Sequence, residues 1–497
     1  PRQATMRGAI EWSWNLLDEW AQRGLAQCSV FRGGFTFDAA ETIVTLNKEH
    51  DMLDLLDELQ HHSFLSRVDA NNDVLRYRLF ETIRQFAEEK LVEPISRKEL
   101  SLRHASHYVS RAEGLSHDLL IPFAANEFEN LRAAHCTGLK RDWSLSARAV
   151  FALAPLLGSR GPVSLFVSLL NETIEAYRSV QSNEVHYIQL LKMRGLYVAG
   201  GGRGKTGLQD LQKARELAKE KSLVDLEIEV HISLGKVLDY LGNREKGDES
   251  LERAIGLARD IGNSNLLGQA LECRAVCASF RGDYELQLSC LDEARPLMGD
   301  KLSPFEIASF ERNRADALIN LQRYAEGAAI FEKTLLFATE LEDAELASHC
   351  RRGLSLIKMA QEDWSTADDL LDQAIAQSRQ VHNHGHLAML LRLKGLIALF
   401  TNREDKAVEH CQEALSVAHQ YGVTQLLPLQ QAYLCAVLRF TLRKDEAEAA
   451  AKAAREGLTS EASKTERCMV ELLVGGSPSF NGLFSIELSL IKKLMNS

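Results

Sequence analysis

Apolar and small residues recur in register every 40 residues through the second half of the chain. Five stretches carry the pattern: LGNREKGDESLERAIGLA, RGDYELQLSCLDEARPLM, LQRYAEGAAIFEKTLLFA, QEDWSTADDLLDQAIAQS and TNREDKAVEHCQEALSVA. Their second residues are Gly242, Gly282, Gln322, Glu362 and Asn402. A sixth, LRKDEAEAAAKAAREG, is weaker and sets Arg443 one place past the expected step. Nine places after each reference stand Leu251, Leu291, Phe331, Leu371 and Cys411; twelve places after stand Ala254, Ala294, Thr334, Ala374, Ala414 and Ala454. Offsets of three to four residues put these on one helix face. Seven places before come small residues, Gly235, Ala275, Ala315, Ser355, Gly395 and Cys435, which let two helices approach closely. Each unit therefore reads as helix, short turn, helix. The turns hold residues that accept turn geometry. A second polar break follows about twenty places on, as in IGNSN at 261–265 and HNHGH at 382–386. One such pair cannot bury its face alone, so the pairs stack into an α-solenoid with a concave face.

Residues 1–95 leave this register. Two or three short helices cover RQATMRGAIEWSWNLLDEWAQRGLAQCSVFRGGFTFDAAETIV, with Asp38 or Thr36 capping the helix at FTFDAAETI. DMLDLLDELQHHSFL is amphipathic, SFLSRV and LRYRLF read as strands around the polar turn DANNDV, and ETIRQFAEEKL returns to helix. Helices, a two-stranded wing and a closing helix make a winged-helix domain. The expected class is mainly α: a winged helix over 1–95, a helical linker with irregular first pairs over 96–180, a repeat solenoid over 181–460, and C-terminal capping helices over 461–497.

Composition narrows the function. The 497 residues are 45% hydrophobic and 26% charged, with a formal net charge of −11. That sign disfavours non-specific binding to nucleic acid or to an anionic membrane. Residues 1–100 hold 12 Lys and Arg against 17 Asp and Glu, a net of −5, so the winged helix is a poor phosphate binder. No apolar run reaches the ~18 residues of a membrane span. The N-terminus shows no signal-peptide pattern. Nine scattered cysteines without a Cys-x-x-Cys pair suit a reducing cytoplasm, and the expected location is cytoplasmic. Cys273 and Cys277 share a helix face, but no nearby His completes a zinc set. The first residue is Pro rather than Met, so the expectation is that the chain begins inside a longer protein.

The sharpest candidate chemistry is AGGGRGKTG at 199–207, where Gly204, Lys205 and Thr206 resemble the end of a phosphate-binding loop. Such a loop needs a strand before it and a helix after it within a parallel sheet. YIQLLKMRGLYV, which precedes it, fits a helix, and Gly202 lies one 40-residue step before Gly242. The stretch therefore reads as a repeat turn rather than a nucleotide site. His382, His384 and His386 alternate as metal ligands can, but fall in a break between repeats and read as exposed linker. No nucleophile–base arrangement emerges from the spacing, and no metal or cofactor is expected in this chain.

Gly282-Asp283-Tyr284, with the small residues around it, resembles the turn of tetratricopeptide repeats. AIEWSWNLL, SVFRGGFTFDAAE, LLDELQHHSFL and RYRLFETIRQFAEEKL resemble the segment that follows the nucleotide-binding core in STAND (NB-ARC-like) signalling regulators. ANEFENLRAAHCTGLKRDW, at 125–143, resembles that family's link into its repeats. The resemblance implies an upstream ATPase module that handles ATP or ADP, a winged helix acting as a lever, and a non-catalytic array that binds a protein or small ligand on its concave face. Leu79, Phe80 and Glu81 stand where relatives carry a nucleotide-contacting Met-His-Asp motif, and no His is present. Arg76, Arg78 and Glu81 are the candidates for contact with the upstream module. Two rival readings remain: a transcription regulator whose winged helix touches DNA, and a nucleotide-binding enzyme using Lys205.

Overall fold

The computed structural model describes residues 2–69, 75–91, 94–159, 161–180, 184–200, 204–299, 304–421, 423, 426–458, 467, 470–471 and 473–475. Among them lie 24 helices and three strands. Contacts divide the chain into two compact units, Pro1–Ala218 and Lys219–Ser497.

The first unit opens with α1 (Arg2–Trp14), α2 (Glu19–Cys28), β1 (Phe35–Thr36), α3 (Phe37–Ile43), α4 (Met52–His61), β2 (Leu65–Asp69), β3 (Leu75–Leu79) and α5 (Glu81–Glu89). Thr36 caps α3 by accepting the Ala39 N–H, and Asp51 and Asp54 form a capping box on α4. The strands make one antiparallel sheet in the order β1-β3-β2, with Leu65 opposite Leu79 and Phe35 opposite Tyr77. Leu25, Phe35, Ile43, Leu55, Leu59, Tyr77 and Phe86 fill the core beneath it. This is a winged helix-turn-helix. The turn between the wing strands, 70–74, lies outside the described residues. Strand β1 is not among the expected elements: FTFDAAETI reads as a capped helix start, and two residues are too short to show an alternation.

Seven further helices follow: α6 (Pro94–Glu113), α7 (His117–Asn126), α8 (Phe128–Arg141), α9 (Trp143–Ser159), α10 (Val163–Val180), α11 (Glu184–Gly200) and α12 (Gly204–Glu220). The second unit is a run of helix pairs: α13 (Val224–Tyr240) with α14 (Arg244–Asp260), α15 (Ser264–Arg281) with α16 (Tyr284–Met298), α17 (Pro304–Asn320) with α18 (Tyr324–Glu340), α19 (Ala344–Ala360) with α20 (Trp364–Gln380), α21 (His384–Phe400) with α22 (Glu404–Gln420), and α23 (Leu427–Phe440) with α24 (Lys444–Gly457).

The 40-residue register has a backbone cause. The reference residues Gly242, Gly282, Gln322, Glu362, Asn402 and Leu442 all have positive φ, between 56° and 77°. Halfway between them, Ser222, Gly262, Glu342 and His382 do the same. Positions 302 and 422 would complete the series and lie outside the described residues. Each left-handed residue lets the next N–H reach back to the preceding helix: Asn243 to the Leu238 carbonyl at 2.8 Å, Asp363 to Lys358 at 2.9 Å, Arg443 to Leu438 at 2.9 Å. That is the Schellman closure of a helix C-terminus. The residue after the left-handed one often caps the following helix: Asn263, Asp283, Asp343, Asp363 and Asn383 each accept a backbone N–H. Helices of 17 residues separated by three-residue turns recur throughout and give the twenty-residue half-step. The sixth copy holds the phase through Leu442, not Arg443.

The small column works as expected. A Cβ on Gly235 would lie 2.5 Å from Leu251 Cγ, and one on Gly395 would lie 2.7 Å from Cys411 Sγ. The residues nine and twelve places after each turn are buried in every copy described. These interlocking columns build the tetratricopeptide-like solenoid of the second unit.

Candidate ligand-binding face and the wing joint

The phosphate-loop-like stretch is folded as part of two helices. Ala199 and Gly200 end α11, and Gly204, Lys205 and Thr206 begin α12; 201–203 lie outside the described residues. A helix precedes the stretch where nucleotide binding requires a strand. Gly207 has a packing role: a Cβ there would meet the Gly195 carbonyl oxygen at 2.5 Å, so these two helices cross backbone to backbone. Arg194 ties them together with two bonds of 2.7 Å to Asp210. Lys205 and Thr206 are exposed on the first turn.

The wing residues separate. Arg76, on β3, forms a two-pronged ion pair with Glu127, the residue before α8. Both side chains are largely buried, 13% and 6% exposed. Burial works against the Arg76 charge, and the Glu127 pair raises its pKa above the usual value. Asn130 completes the joint. Its amide nitrogen donates to Glu127 at 2.7 Å and to the Gly34 carbonyl at 2.9 Å, while its oxygen accepts the Arg32 N–H at 2.7 Å. His104 Nε2 lies 3.1 Å from the same oxygen. Burial pushes the His104 ring down to about 4, so it is neutral at pH 7. Gly33 and Gly34 have φ of 72° and 111°, the left-handed region that lets the FRGGF loop turn its backbone onto Asn130. Arg78 is exposed on β3, and Glu81 is exposed on the first turn of α5, where it pairs with Arg84 at 2.6 Å. Glu127 and Asn130 lie in the NEFENL stretch, and no motif or spacing in the sequence marks either of them as a site residue. The run Asn126-Glu127-Phe128-Glu129-Asn130 is polar at four of five places, so nothing local marks Glu127 and Asn130 as the buried pair.

In the repeats, one set of charged and aromatic contacts runs between the first helices of successive pairs. Arg352, on α19, donates to Asp316 of α17 at 2.8 Å, and Arg312 lies 3.9 Å from the same carboxylate. The rings of His349, on α19, and His386, on α21, sit 3.8 Å apart. Arg392 lies over the Tyr433 ring at 4.4 Å. Burial lowers both histidines, His386 to about 3 and His349 further, and the Arg312 and Arg352 charges push the same way. Toward the other end, burial and the neighbouring Glu306 raise the Glu272 carboxyl.

HNHGH is not the exposed linker that its polarity suggested. His382 is the left-handed turn residue, His384 begins α21 and stacks on Tyr421 at 3.4 Å, and His386 is buried, 4% exposed. The three do not converge. Among the described residues no group of three or more His, Cys, Asp or Glu is placed to hold a metal ion. No helix among them is long and apolar enough to cross a membrane.

Comparison with known proteins agrees with this architecture. A family profile described as a winged helix-turn-helix domain matches residues 17–92, and one described as a tetratricopeptide repeat matches 228–261. Curated relatives from Mycobacterium tuberculosis H37Rv and Mycobacterium bovis, provisionally named HTH-type transcriptional regulators, are 28% identical over 328 residues. The match takes in 60% of this chain but 36% of each relative, so the chain spans about a third of their length. A solved STAND protein with a tetratricopeptide repeat sensor, from Pyrococcus horikoshii, aligns over 89% of this chain and 64% of its own, with TM-score 0.53 and 14% identity. That likeness is one of fold. The chain is a winged helix-turn-helix domain followed by tetratricopeptide-like repeats.

Proposed function

We propose that this chain is the non-catalytic sensor and interaction region of a STAND-type regulator. In this reading the repeats bind a protein or small ligand, and the winged helix passes the event to an upstream nucleotide switch. The observation that carries it is the division of labour in the array: the turn and packing columns repeat from copy to copy, whereas the polar residues of the first helices differ. A repeated scaffold with copy-specific polar groups on one row is how a solenoid recognises a partner. The likeness to a STAND protein with a repeat sensor supports the upstream switch. The buried Arg76–Glu127–Asn130 joint supports the relay, because it ties the wing to the helices that follow. Ligand binding shifts such a switch only through different affinity for its two states. Arg78 and Glu81, exposed beside the joint, are the residues we assign to the upstream contact.

Titration of the chain with Mg-ATP, before and after Lys205→Ala, tests the reading. It predicts no saturable binding in either. Saturable binding abolished by the substitution would make the chain a nucleotide enzyme instead.

The relatives' name favours a second reading, in which the winged helix binds DNA. The second helix of the helix-turn-helix, α4, would enter the major groove. Its exposed positions are Leu53, Asp54, Asp57 and His61, with no Lys or Arg among them, and Asp57 already engages Arg67 of the wing at 3.3 Å. Carboxylates there repel phosphate. Retention of duplex DNA at low salt that weakens as salt rises would favour the second reading; no retention rejects it.

A further inference from the structure

The register separates what every repeat needs from what one repeat carries. Ten places before the left-handed turn residue stand Ile232, Glu272, Arg312, Arg352, Arg392 and Ala432. Isoleucine and alanine occupy the same place in the first and last copies, so the fold does not require a guanidinium there. Sixteen places before it stand Leu226, Leu266, Glu306, Leu346, His386 and Leu426. His386 thus fills a position that is leucine in four of the six copies, and it is buried. An ionisable ring in a leucine site is unfavourable unless it is satisfied.

Three of these departures, Arg312, Arg352 and His386, meet at one place, with His349 beside them. Arg312 and Arg352, with side chains 23% and 14% exposed, share one carboxylate, Asp316. The two histidines beside them are held neutral. The adjacent Cys350 thiol is pushed up to about 12 by burial and carries no charge at pH 7. Arg351 turns away to Gln373 and Gln377, both at 2.9 Å. Two guanidinium charges against one carboxylate leave the cluster net positive. Its polar atoms are also under-used. Arg352 Nε, His349 Nδ1 and both ring nitrogens of His386 are buried without a well-formed hydrogen bond, the Ser348 backbone being the polar neighbour of His386. Buried polar groups are ordinarily paired, so an exception calls for an explanation, and a missing partner is one.

We propose that Arg312 and Arg352, with the His349–His386 pair beside them, form an oxyanion-binding subsite on the row of first helices. It takes a carboxylate or phosphoryl group of the array's ligand. The planar guanidinium forks fit such oxygens, and each neutral imidazole still carries one N–H to donate. The proposal rests on the array being the ligand-binding part of the chain and names the chemistry it recognises.

The test uses the full chain, with inorganic phosphate and a hexaglutamate peptide as probes. Histidine ring resonances and calorimetry report binding. The subsite predicts that a probe shifts His349 and His386 and leaves His104, buried in the other unit, unmoved. Arg312→Met and Arg352→Met should each weaken binding at least tenfold, with the melting transition retained; Arg312→Lys should weaken it less. Tighter binding of hexaglutamate assigns the anion to an acidic peptide, and tighter binding of phosphate assigns it to a phosphorylated ligand. If neither probe moves His349 or His386, or if the double Met variant binds as well as the parent, the subsite is overturned. Peptide binding seen only at other resonances and indifferent to both substitutions would overturn the subsite while leaving the sensor reading intact.

Discussion

Leu442 is 80% exposed, follows the end of a helix and has a φ of 60°. A side chain in that conformation costs about 1–2 kcal/mol, because its Cβ crowds the neighbouring carbonyl. Glycine avoids that crowding, but frees the unfolded chain by up to about 1 kcal/mol. Leu442→Gly should therefore stabilise the protein by up to about 1 kcal/mol, and Gly282→Ala should destabilise it by about the same, as read by urea denaturation. Titration gives a second prediction at this scale. His104 and His386 are held neutral down to about 4 and about 3. Unfolded, each takes up a proton near pH 6.5. The unfolded state therefore binds more protons below that pH, and stability falls as pH drops from about 6.5, by up to about 1.4 kcal/mol per pH unit for each ring. His386→Leu, which restores the residue common in that column, should flatten this acid slope in unfolding measured across pH. Arg312, Arg352 and Arg392 recur at the 40-residue spacing but lie outside the turn and packing columns by which the sequence is legible. The burial of His386 is not legible either. The residues before it are polar or glycine, and whether the ring faces inward depends on α21 starting at His384, a boundary that a run of His, Asn and Gly does not reveal.

At the scale of helices, the close crossings were legible and the polar joint was not. A small residue seven places before each turn, set against a larger one nine places after it, states in sequence that two helices touch. The same register made AGGGRGKTG a helix–helix turn, and the contact of Gly207 with Gly195 accounts for one of its glycines. Gly195→Ala would put a Cβ 2.7 Å from Leu211 Cγ and 2.9 Å from the Gly207 oxygen. Overpacking of that kind should cost about 1–3 kcal/mol, measured by denaturation. The wing joint links Arg76 to a carboxylate 51 residues away, and no periodicity encodes such a distance. Glu127→Ala would leave the buried Arg76 charge without its carboxylate. It should destabilise the first unit by about 3 kcal/mol or more, and Glu127→Gln, which keeps a hydrogen-bond acceptor, by less. Thermal unfolding of the two variants side by side gives the comparison.

For the whole molecule, the register and the wing pattern made the fold class readable from sequence, because both rest on period and turn chemistry. Function is harder to read, because in the proposed reading it rests on residues that differ between copies, and the turn and packing columns do not mark them. The account rests on one claim: ligand recognition belongs to the repeats, and the phosphate-loop-like stretch is scaffold. Amide hydrogen exchange over the whole chain, with Mg-ATP and with hexaglutamate added separately, tests that claim most directly. The prediction is slower exchange on α17, α19 and α21 with the peptide, and no change at 199–207 with ATP. Protection of 199–207 by ATP, with α17, α19 and α21 unmoved by the peptide, would contradict it.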